Sequence, residues 1–468
     1  MADIIAFLDK KAGDLFSIAD QVWDFAEVGF QEVESSKVQA DYLEANGFTV
    51  KRGVGGVPTA FVAEWGSGKP IIGYLGEFDA LSGVSQELSA ERKPRVPGAP
   101  GHGCGHNVLG TGALGAALAL KHTLSETKTE ATVRYYGCPA EELLAGKVYM
   151  ARAGVFDDLD VAITWHGGST NTVRLGSGNA MNSAKFHFHG KTAHAAGDPH
   201  NGRSALDGVE LMNVGANYLR EHVINNARIH YVITEGGGQP NVVPAEAEVW
   251  YFVRAPHRNQ VEEIYERLVD VAKGAALMTG TTFEQNFLTG CYEVLLNEAL
   301  AEVMWKALQK VGAPKFDEKD IAFAEKLAET FDAANLEQMR KAPEFKDLKG
   351  QVLNTTLVPP TGKGRSGGGS TDVGDVSWIV PTVQMSAATV PLGCPGHSWQ
   401  NCASSGSSIG NKAMLVAAKT MALCGWDLVL HPEGIKKAKA EFIELTKDAP
   451  YKCPFPKGRD LPLNEFFK

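Results

Sequence analysis

The feature that most constrains the fold is a set of short apolar runs that each lead into a cluster of polar residues. The runs have the length and composition of buried β-strands, and helix-like segments separate them. Strands that alternate with helices predict an α/β fold with a mostly parallel sheet and helices on both faces. The carboxyl ends of such strands open onto one crevice, so polar residues there converge. The predicted strands cover residues 71–75, 132–136, 161–165 and 382–390.

The middle of the chain follows a different pattern. Residues 183–189 alternate polar and apolar side chains, which is typical of a strand with one solvent-exposed face. The segments after it follow the order β-α-β-β-α-β of a ferredoxin-like domain. We therefore predict a catalytic domain at residues 1–180 and 293–468, interrupted by an inserted α+β domain at residues 181–292. Residues 314–364 are predicted to form an excursion of the catalytic domain.

Composition and charge exclude several classes of function. The net charge is -10 and no dense run of Lys and Arg occurs, which argues against a nucleic-acid partner. We expect no apolar segment of the roughly 18–20 residues that span a bilayer, and no signal peptide. The seven cysteines lack a disulfide-framework spacing, which favours a reducing compartment. These features predict a cytoplasmic protein that binds neither nucleic acid nor membranes.

A cysteine and a histidine stand between glycines in the segment GHGCGHN. Cys104 and His106 are two residues apart, so both side chains can face one ion without crowding. Thiolate and imidazole are ligands suited to zinc, and a thiolate can bridge two ions. The alternative is a glycine-rich helix start with a structural histidine.

The other polar clusters supply more ligands and a base. Glu141 and Glu142 are adjacent, so one carboxylate can bind metal while the other acts as a general base. His166 and His397 each follow a predicted strand, and either one alone is more often structural. Together with Cys104 and His106, the residues Glu142, His166 and His397 can hold two ions that share the thiolate and take two further ligands each. Bound metal activates water and polarises a carbonyl, so the set predicts amide hydrolysis.

Several long motifs occur in a fixed order through almost the whole chain. Their sequence and order resemble the dinuclear metallopeptidases of the aminoacylase and glutamate carboxypeptidase type, and within these the B-subunit family of p-aminobenzoyl-glutamate hydrolases. The motifs are GHGCGHN with the following LGTGALGAALA, YYGCPAEE, TWHGG, GKTAHAAGDPHNGRSALDGVE, GGSTDVGDVSW and PGHSWQ.

The resemblance implies a zinc-peptidase-like catalytic domain interrupted by a lid domain that forms a homodimer. It implies that Glu141 is the base and that His194 reaches the partner subunit's active site to hold the tetrahedral oxyanion. It also implies that Asn241 and Arg254, on the lid, bind the carboxylate of the substrate. From the residues alone, His194 is a turn-capping residue and Arg254 a surface charge. The implied metal ligands are Cys104, His106, Glu142, His166 and His397.

Two positions depart from the wider family, at Glu77 and Asn107, where many members have His and Asp. We expect Asp79, two residues after Glu77, to contact a metal ligand rather than the metal. A thiolate ligand favours zinc, while the resemblance suggests manganese. The expected cofactors are two divalent ions per subunit, Mn or Zn.

The predicted function is hydrolysis of the amide bond of an N-acyl or N-aroyl amino acid. The leading substrate is p-aminobenzoyl-glutamate, cleaved to p-aminobenzoate and glutamate. The alternatives are a dipeptidase or another N-acyl amino acid amidohydrolase on the same site, and a non-catalytic relative that binds metal or ligand. All five ligand positions and the base are present, which favours an enzyme. The sequence determines neither the acyl group nor whether a second, different subunit is required.

Overall fold

The computed structural model describes residues 2–341, 345, 348 and 350–467, and the chain divides into two compact units. The second unit includes two segments that the predicted domain bounds assign to the catalytic part, 366–375 and 452–468. Backbone hydrogen bonds such as that from Asn179 N–H to Gly369 O, 2.7 Å, join the first of these segments to the unit. The first unit comprises Met1–Ser177, Leu295–Arg365 and Val376–Tyr451, and the second comprises Gly178–Val294, Ser366–Asp375 and Lys452–Lys468.

Helices and strands alternate along most of the described chain. The strands are β1 (Thr49–Arg52), β2 (Phe61–Gly66), β3 (Ile71–Glu77), β4 (Thr132–Cys138), β5 (Val161–Gly168), β6 (Thr172–Val173), β7 (Ala180–His189), β8 (Arg228–Glu235), β9 (Glu246–Ala255), β10 (Thr282–Cys291) and β11 (Thr382–Ala388). The α-helices are α1 (Ala2–Phe25), α2 (Val33–Ala45), α3 (His106–Thr127), α4 (Gly146–Arg152), α5 (Ala205–Leu219), α6 (Arg258–Thr279), α7 (Glu298–Val311), α8 (Glu318–Ala328), α9 (Ala333–Arg340), α10 (Val373–Ser377), α11 (Trp399–Ser405), α12 (Ser408–Leu430) and α13 (Glu433–Thr446).

The first unit contains a seven-stranded sheet in the order β1-β2-β4-β3-β5-β11-β6. Strands β4, β3, β5 and β11 at its centre pair in parallel, while the outer pairs are antiparallel. Every residue of β3 and β11 is buried. Strands covered on both faces need apolar residues at consecutive positions, which is why they appear in the sequence as continuous apolar runs. The predicted α/β fold with a mostly parallel sheet is confirmed.

Three of the central strands, β3, β4 and β5, run further than the sequence predicts, whereas β11 ends at Ala388, two residues earlier than predicted. β3 continues through Glu77 and β5 through His166 to Gly168, so these two polar residues lie at the ends of strands and not beyond them. Pairing supplies the reason: Ser386 and Ala387 of β11 lie opposite His166 and Gly167. A neighbouring strand therefore keeps polar and glycine residues extended where composition alone predicts a loop.

The second unit contains a four-stranded antiparallel sheet in the order β10-β7-β9-β8, with helices α5 and α6 packed against it. Strand β9 alternates buried and less buried residues along most of its length, as a strand with one covered face does. The element order β7-α5-β8-β9-α6-β10 is that of the predicted ferredoxin-like insertion.

One prediction about apolar segments was wrong. Helix α12 is long and apolar enough to cross a membrane by length and composition, and among the described residues it is the one helix that is. However, 67% of its most apolar stretch is buried within the protein. It packs against α1, α3 and α7, so its apolar character is that of a core helix.

The predicted excursion at residues 314–364 belongs to the first unit and contains α8 and α9. Residues 342–344, 346, 347 and 349 of the excursion lie outside the described residues.

Candidate metal centre

His106 begins helix α3, directly after Gly105, whose φ of 84° lies in the left-handed region that favours glycine. The ring donates a hydrogen bond from Nδ1 to Asp79 Oδ1 at 2.9 Å. With its proton on Nδ1, the neutral imidazole presents a lone pair at Nε2. That Nε2 is buried and has no hydrogen-bond partner. It is therefore an atom available to a metal ion.

Carboxylates surround this nitrogen. Glu77 Oε2 lies 3.5 Å from His106 Nε2, Glu141 Oε2 lies 3.7 Å away and Glu142 Oε1 lies 3.9 Å away. All three carboxylate side chains are at most 8% exposed. Buried carboxylates this close together repel one another unless positive charge lies between them.

The turn that carries the two glutamates follows strand β4 and is held by buried acceptors. Ala140 has a φ of 55°, an unfavourable backbone conformation for a residue with a Cβ atom. Its N–H donates to Glu32 Oε1 at 2.7 Å, and the N–H of Glu142 donates to Asp79 Oδ2 at 2.9 Å. Asp79 therefore contacts both His106 and the turn, which places it beside the predicted ligands.

Cys104, His166 and His397 complete the cluster. Cys104 Sγ lies 3.4 Å from His166 Nε2, and the other ring nitrogen of His166 donates to the Gly167 carbonyl oxygen at 2.7 Å. His397 Nε2 lies 3.5 Å from Glu142 Oε2. His397 has a φ of 51° and is 61% exposed, so the cluster meets solvent at this residue.

The five predicted ligands come together in two groups that share one thiolate. Within each group, one ligand atom per residue lies within 4.8 Å of every other. A third group of this kind contains Glu77 and Glu141 with His106. The first two groups are Cys104, His106 and His166, and Cys104, Glu142 and His397.

The donor set fits divalent metal. Thiolate, imidazole and carboxylate are ligands of zinc and related ions. Two buried atoms of this set, His106 Nε2 and Glu142 Oε1, have no hydrogen-bond partner. Buried polar atoms are rarely left unpaired, so unpaired atoms in a ligand cluster are what a metal site requires before the ion is added.

The pKa values show an excess of negative charge. Burial and the neighbouring Glu77 raise the pKa of Glu141 well above its ordinary range. Burial is also the main cause that raises the pKa of Glu142 to about 7 and the pKa of the Cys104 thiol to about 12. A divalent cation reverses such shifts because it favours the ionised carboxylate and thiolate.

Three residues that the sequence analysis did not single out also belong to this region. Lys147 is completely buried and places Nζ 2.7 Å from Glu77 Oε1. Arg174 follows β6 and interacts electrostatically with Cys104 and Glu77. Glu32, described above, holds the turn after β4. Two weak sequence signals could have identified residues of this group. One is the single lysine within LLAGKVYMA, a run of otherwise small and apolar residues, and the other is an arginine next to an edge strand of the sheet.

The remaining predicted residues lie in the second unit. His194 Nδ1 accepts hydrogen bonds from the N–H groups of Ala196 and Gly197 at 3.2 and 3.1 Å, so His194 does cap a turn. Asn241 is exposed on the facing loop, where its backbone carbonyl oxygen accepts a hydrogen bond from Ala195 N–H at 3.0 Å. Arg254 lies near the other end of β9.

The environment of Arg254 differs from that of the two loops. Its Nη1 donates to Ser370 Oγ at 2.9 Å, and its guanidinium lies 5.4 Å from the ring centre of Phe252. Within the second unit, therefore, His194 and Asn241 lie on paired loops and Arg254 lies apart from them.

Comparison with known proteins identifies the family. The family model described as peptidase dimerisation domain matches residues 179–278. The B subunit of p-aminobenzoyl-glutamate hydrolase from Escherichia coli (strain K12) is 43% identical over 457 residues, covering 94% of this chain and 94% of that protein. The Xaa-Arg dipeptidase of Mus musculus is 27% identical over 448 residues, covering 93% of this chain and 90% of that protein.

A solved structure shares the fold. It is a dinuclear metal binding peptidase of the M20 family from Bacillus subtilis, with a TM-score of 0.54 and 18% identity, covering 90% of this chain and 99% of that chain. The fold, the clustered ligands and the sequence relationship agree. The chain belongs to the M20 family of metallopeptidases and amidohydrolases, and it is a hydrolase of amide bonds that uses divalent metal.

Proposed function

We propose that the enzyme cleaves the amide bond of N-aroyl or N-acyl amino acids, with p-aminobenzoyl-glutamate as the leading substrate and p-aminobenzoate and glutamate as products. The observation that carries the proposal is the pair of ligand groups that share Cys104, with Glu141 buried beside them. The substrate class is supported by the name of the Escherichia coli relative, which is similar over almost the whole chain.

In this proposal the first unit is the catalytic domain and holds two ions, Mn or Zn. The residues that hold them are the five described above, and Cys104 belongs to both sets. Bound divalent ions lower the pKa of a water molecule and polarise the carbonyl of the scissile amide. Asp79 orients His106 through Nδ1, and Lys147 balances the charge of Glu77.

Glu141 acts as the general base and acid. Its Oε2 lies 3.7 Å from His106 Nε2, and its side chain is 8% exposed. In this position the carboxylate can take the proton of the attacking water and pass it to the nitrogen of the leaving amino acid.

The second group that acts on the reaction is His194. Because its Nδ1 accepts backbone N–H groups, the neutral ring keeps its proton on Nε2, where it can donate to an oxyanion.

The second unit serves as lid and dimerisation domain. Its Asn241 and Arg254 bind the substrate carboxylate, and because the two residues lie apart within one chain, they reach that carboxylate from different subunits. Arg254 suits this role because a guanidinium can bind a carboxylate through two parallel hydrogen bonds. We propose a homodimer in which His194 serves the active site of the partner subunit. The match to a peptidase dimerisation domain supports association of this unit.

Strand β8 is an edge strand of the second unit's sheet, and Tyr231, Val232 and Ile233 on it are exposed. An exposed apolar edge strand is a surface suited to pairing with a second copy.

The name of the Escherichia coli relative describes it as one subunit of a hydrolase, which leaves room for a second, different chain in the assembly. We place the enzyme in the cytoplasm.

The test is a chromatographic screen of N-aroyl amino acids, N-acyl amino acids and dipeptides, with manganese and zinc supplied separately. We expect p-aminobenzoyl-glutamate to be cleaved with the highest kcat/KM and activity to disappear on chelation. A dipeptide that is cleaved faster favours the alternative of a dipeptidase, which the mouse Xaa-Arg dipeptidase suggests. Absence of cleavage of every compound with either metal would contradict the proposed substrate class.

Two neighbouring substitutions separate the role of the base from that of a ligand. Glu141→Gln should lower kcat by about 10²–10⁴-fold while the metal content remains that of the wild type. The matched variant Glu142→Gln should lose metal as well as activity. Near-normal turnover of Glu141→Gln on every substrate would exclude Glu141 as the base.

A further inference from the structure

A second cluster of metal-ligating side chains lies in the second unit, on strands β7 and β9. His187 and His189 are two residues apart on β7, so their side chains point to the same side of the sheet. Glu246, the first residue of β9, lies directly opposite His189. One ligand atom from each of these three residues lies within 4.8 Å of the others. The proposed catalytic centre uses none of them.

The carboxylate of Glu246 binds both rings through one oxygen. His187 Nε2 lies 2.8 Å from Glu246 Oε2, and His189 Nδ1 lies 2.7 Å from the same atom. The two imidazoles are stacked, with ring centres 4.7 Å apart. Two nitrogens and one oxygen therefore meet at one point on the sheet surface.

Each histidine turns its other nitrogen towards a different carboxylate. His187 Nδ1 lies 3.7 Å from Glu248 Oε2, and His189 Nε2 lies 4.0 Å from Glu284 Oε1 on strand β10. His189 Nε2 is buried and has no hydrogen-bond partner. Metal-binding histidines usually donate their second N–H to a carboxylate, which fixes the ring and makes it a stronger ligand.

The charge of the cluster also favours a cation. Three acidic side chains, Glu246, Glu248 and Glu284, lie around the two rings, and Lys185 pairs with Glu248 at 3.2 Å. A cation at the meeting point would be held by His187 Nε2, His189 Nδ1 and Glu246 Oε2, and the nitrogens that face Glu248 and Glu284 would carry the N–H groups of the two rings.

We propose that His187, His189 and Glu246 form a binding site for a zinc-like divalent cation, independent of the ions in the first unit. Imidazole and carboxylate are ligands for zinc and neighbouring transition metals. The site is accessible: the two rings are 31% and 36% exposed and the Glu246 side chain 49%. Glu246 can shift to accommodate the ion because about half of its side chain is exposed to solvent.

The position of the site gives it a structural role. Beyond His189 and Glu246, the backbone pairing of β7 and β9 continues into the two loops that carry His194 and Asn241. Gly190 N–H donates to Ala245 O at 2.7 Å, and Val243 N–H donates to Ala193 O at 3.0 Å. A cation that joins β7 to Glu246 would fasten these loops at their base.

The experiment measures zinc bound per chain by the intact protein, by equilibrium dialysis and elemental analysis at about pH 8, above the ordinary histidine pKa of about 6.5. The double variant His187→Ala/His189→Ala should bind one zinc ion per chain fewer than the wild type. Glu246→Gln, a nearly isosteric change, should weaken the binding of the same zinc ion without changing the binding of the others.

His230→Ala is the matched control, because His230 is an exposed histidine on the neighbouring strand β8 and lies outside the trio. It should bind as much zinc as the wild type. Equal zinc content in the wild type, the double variant and Glu246→Gln would overturn the proposal. That result would leave the proposed amide hydrolysis untouched, because the readout is zinc content and not turnover.

Discussion

Asp79 accepts a hydrogen bond from His106 Nδ1 at 2.9 Å and thereby leaves the buried Nε2 of that ring facing the ligand cluster. Replacement of Asp79 by Asn removes the charge that fixes the ring. We expect metal affinity to fall by about 10–100-fold, the usual effect when a carboxylate behind a ligating histidine is lost. Competition with a chelator measures this change.

A suitable control is Asp375→Asn in the second unit. Asp375 is also buried, and its Oδ2 accepts a backbone hydrogen bond, from Tyr292 N–H at 3.1 Å. This variant should lose stability but keep its metal affinity. If both variants lose metal equally, the effect of Asp79 is one of general destabilisation.

The buried ion pair between Lys147 and Glu77 predicts a large change in stability. Lys147→Met removes the cation and leaves a carboxylate that is 2% exposed. We expect the free energy of unfolding to fall by about 3–5 kcal/mol, because an uncompensated buried charge is strongly unfavourable. Urea unfolding of the chelator-treated protein measures it without a contribution from metal.

The double variant Lys147→Met/Glu77→Gln tests the cause. With the charge of Glu77 also removed, most of the lost stability should return. Losses that simply add in the double variant would show that the two side chains do not depend on each other.

Asp160 predicts a dependence of stability on pH at a distance from the metal centre. Burial by itself raises the pKa of this carboxyl, but hydrogen bonds from Lys439, the Ile71 N–H and Lys69 outweigh it and lower the pKa below its ordinary value of 3.8. The folded protein therefore holds the ionised form more tightly than the unfolded chain does. The stability gained is present above pH 3.8 and is lost as the pH falls through the lower pKa of the folded state.

Accordingly, the free energy of unfolding of Asp160→Asn should be about 2 kcal/mol lower than that of the wild type near neutral pH. The difference should disappear in acid, where both proteins carry a neutral group. The exposed Asp41, which pairs with Lys37 at 2.7 Å, gives the comparison: Asp41→Asn should change stability by less than about 1 kcal/mol. A difference for Asp160→Asn that does not vary with pH would contradict this account.

The proposed shared active site predicts complementation between inactive subunits. His194→Ala and Glu141→Ala each remove one group of the reaction. If His194 serves the partner's site, a mixed dimer contains one site with both groups intact, so mixing the variants should restore part of the activity. Failure to restore activity, with subunit exchange shown by differently tagged chains, would place His194 and Glu141 in the same subunit's site.

The positions of the central strands and the approach of the five ligands follow from the sequence, because buried parallel strands leave continuous apolar runs and their ends share one edge. The contacts that surround the ligands do not follow from the sequence. Lys147 neutralises a carboxylate seventy positions earlier in the chain, and Glu32 accepts a hydrogen bond from Ala140 across 108 positions. No periodicity links such residues, because only the packed sheet brings them together.

The inclusion of 366–375 and 452–468 in the second unit also escapes the sequence. Both segments come long after the inserted domain in the sequence. Their apolar residues do not show which of the two hydrophobic cores they join. Phe455 and Phe466 are buried, with their ring centres 6.3 Å from those of Phe287 and Trp250.

This construction affects the order in which the protein can mature during synthesis. The four strands of the second unit leave the ribosome long before Lys452–Lys468, which packs within the same unit. Until that segment emerges, the surfaces that receive Phe455 and Phe466 remain open to water and to other nascent chains. The unit that matches the dimerisation domain is therefore completed only after the whole of the first unit has been translated.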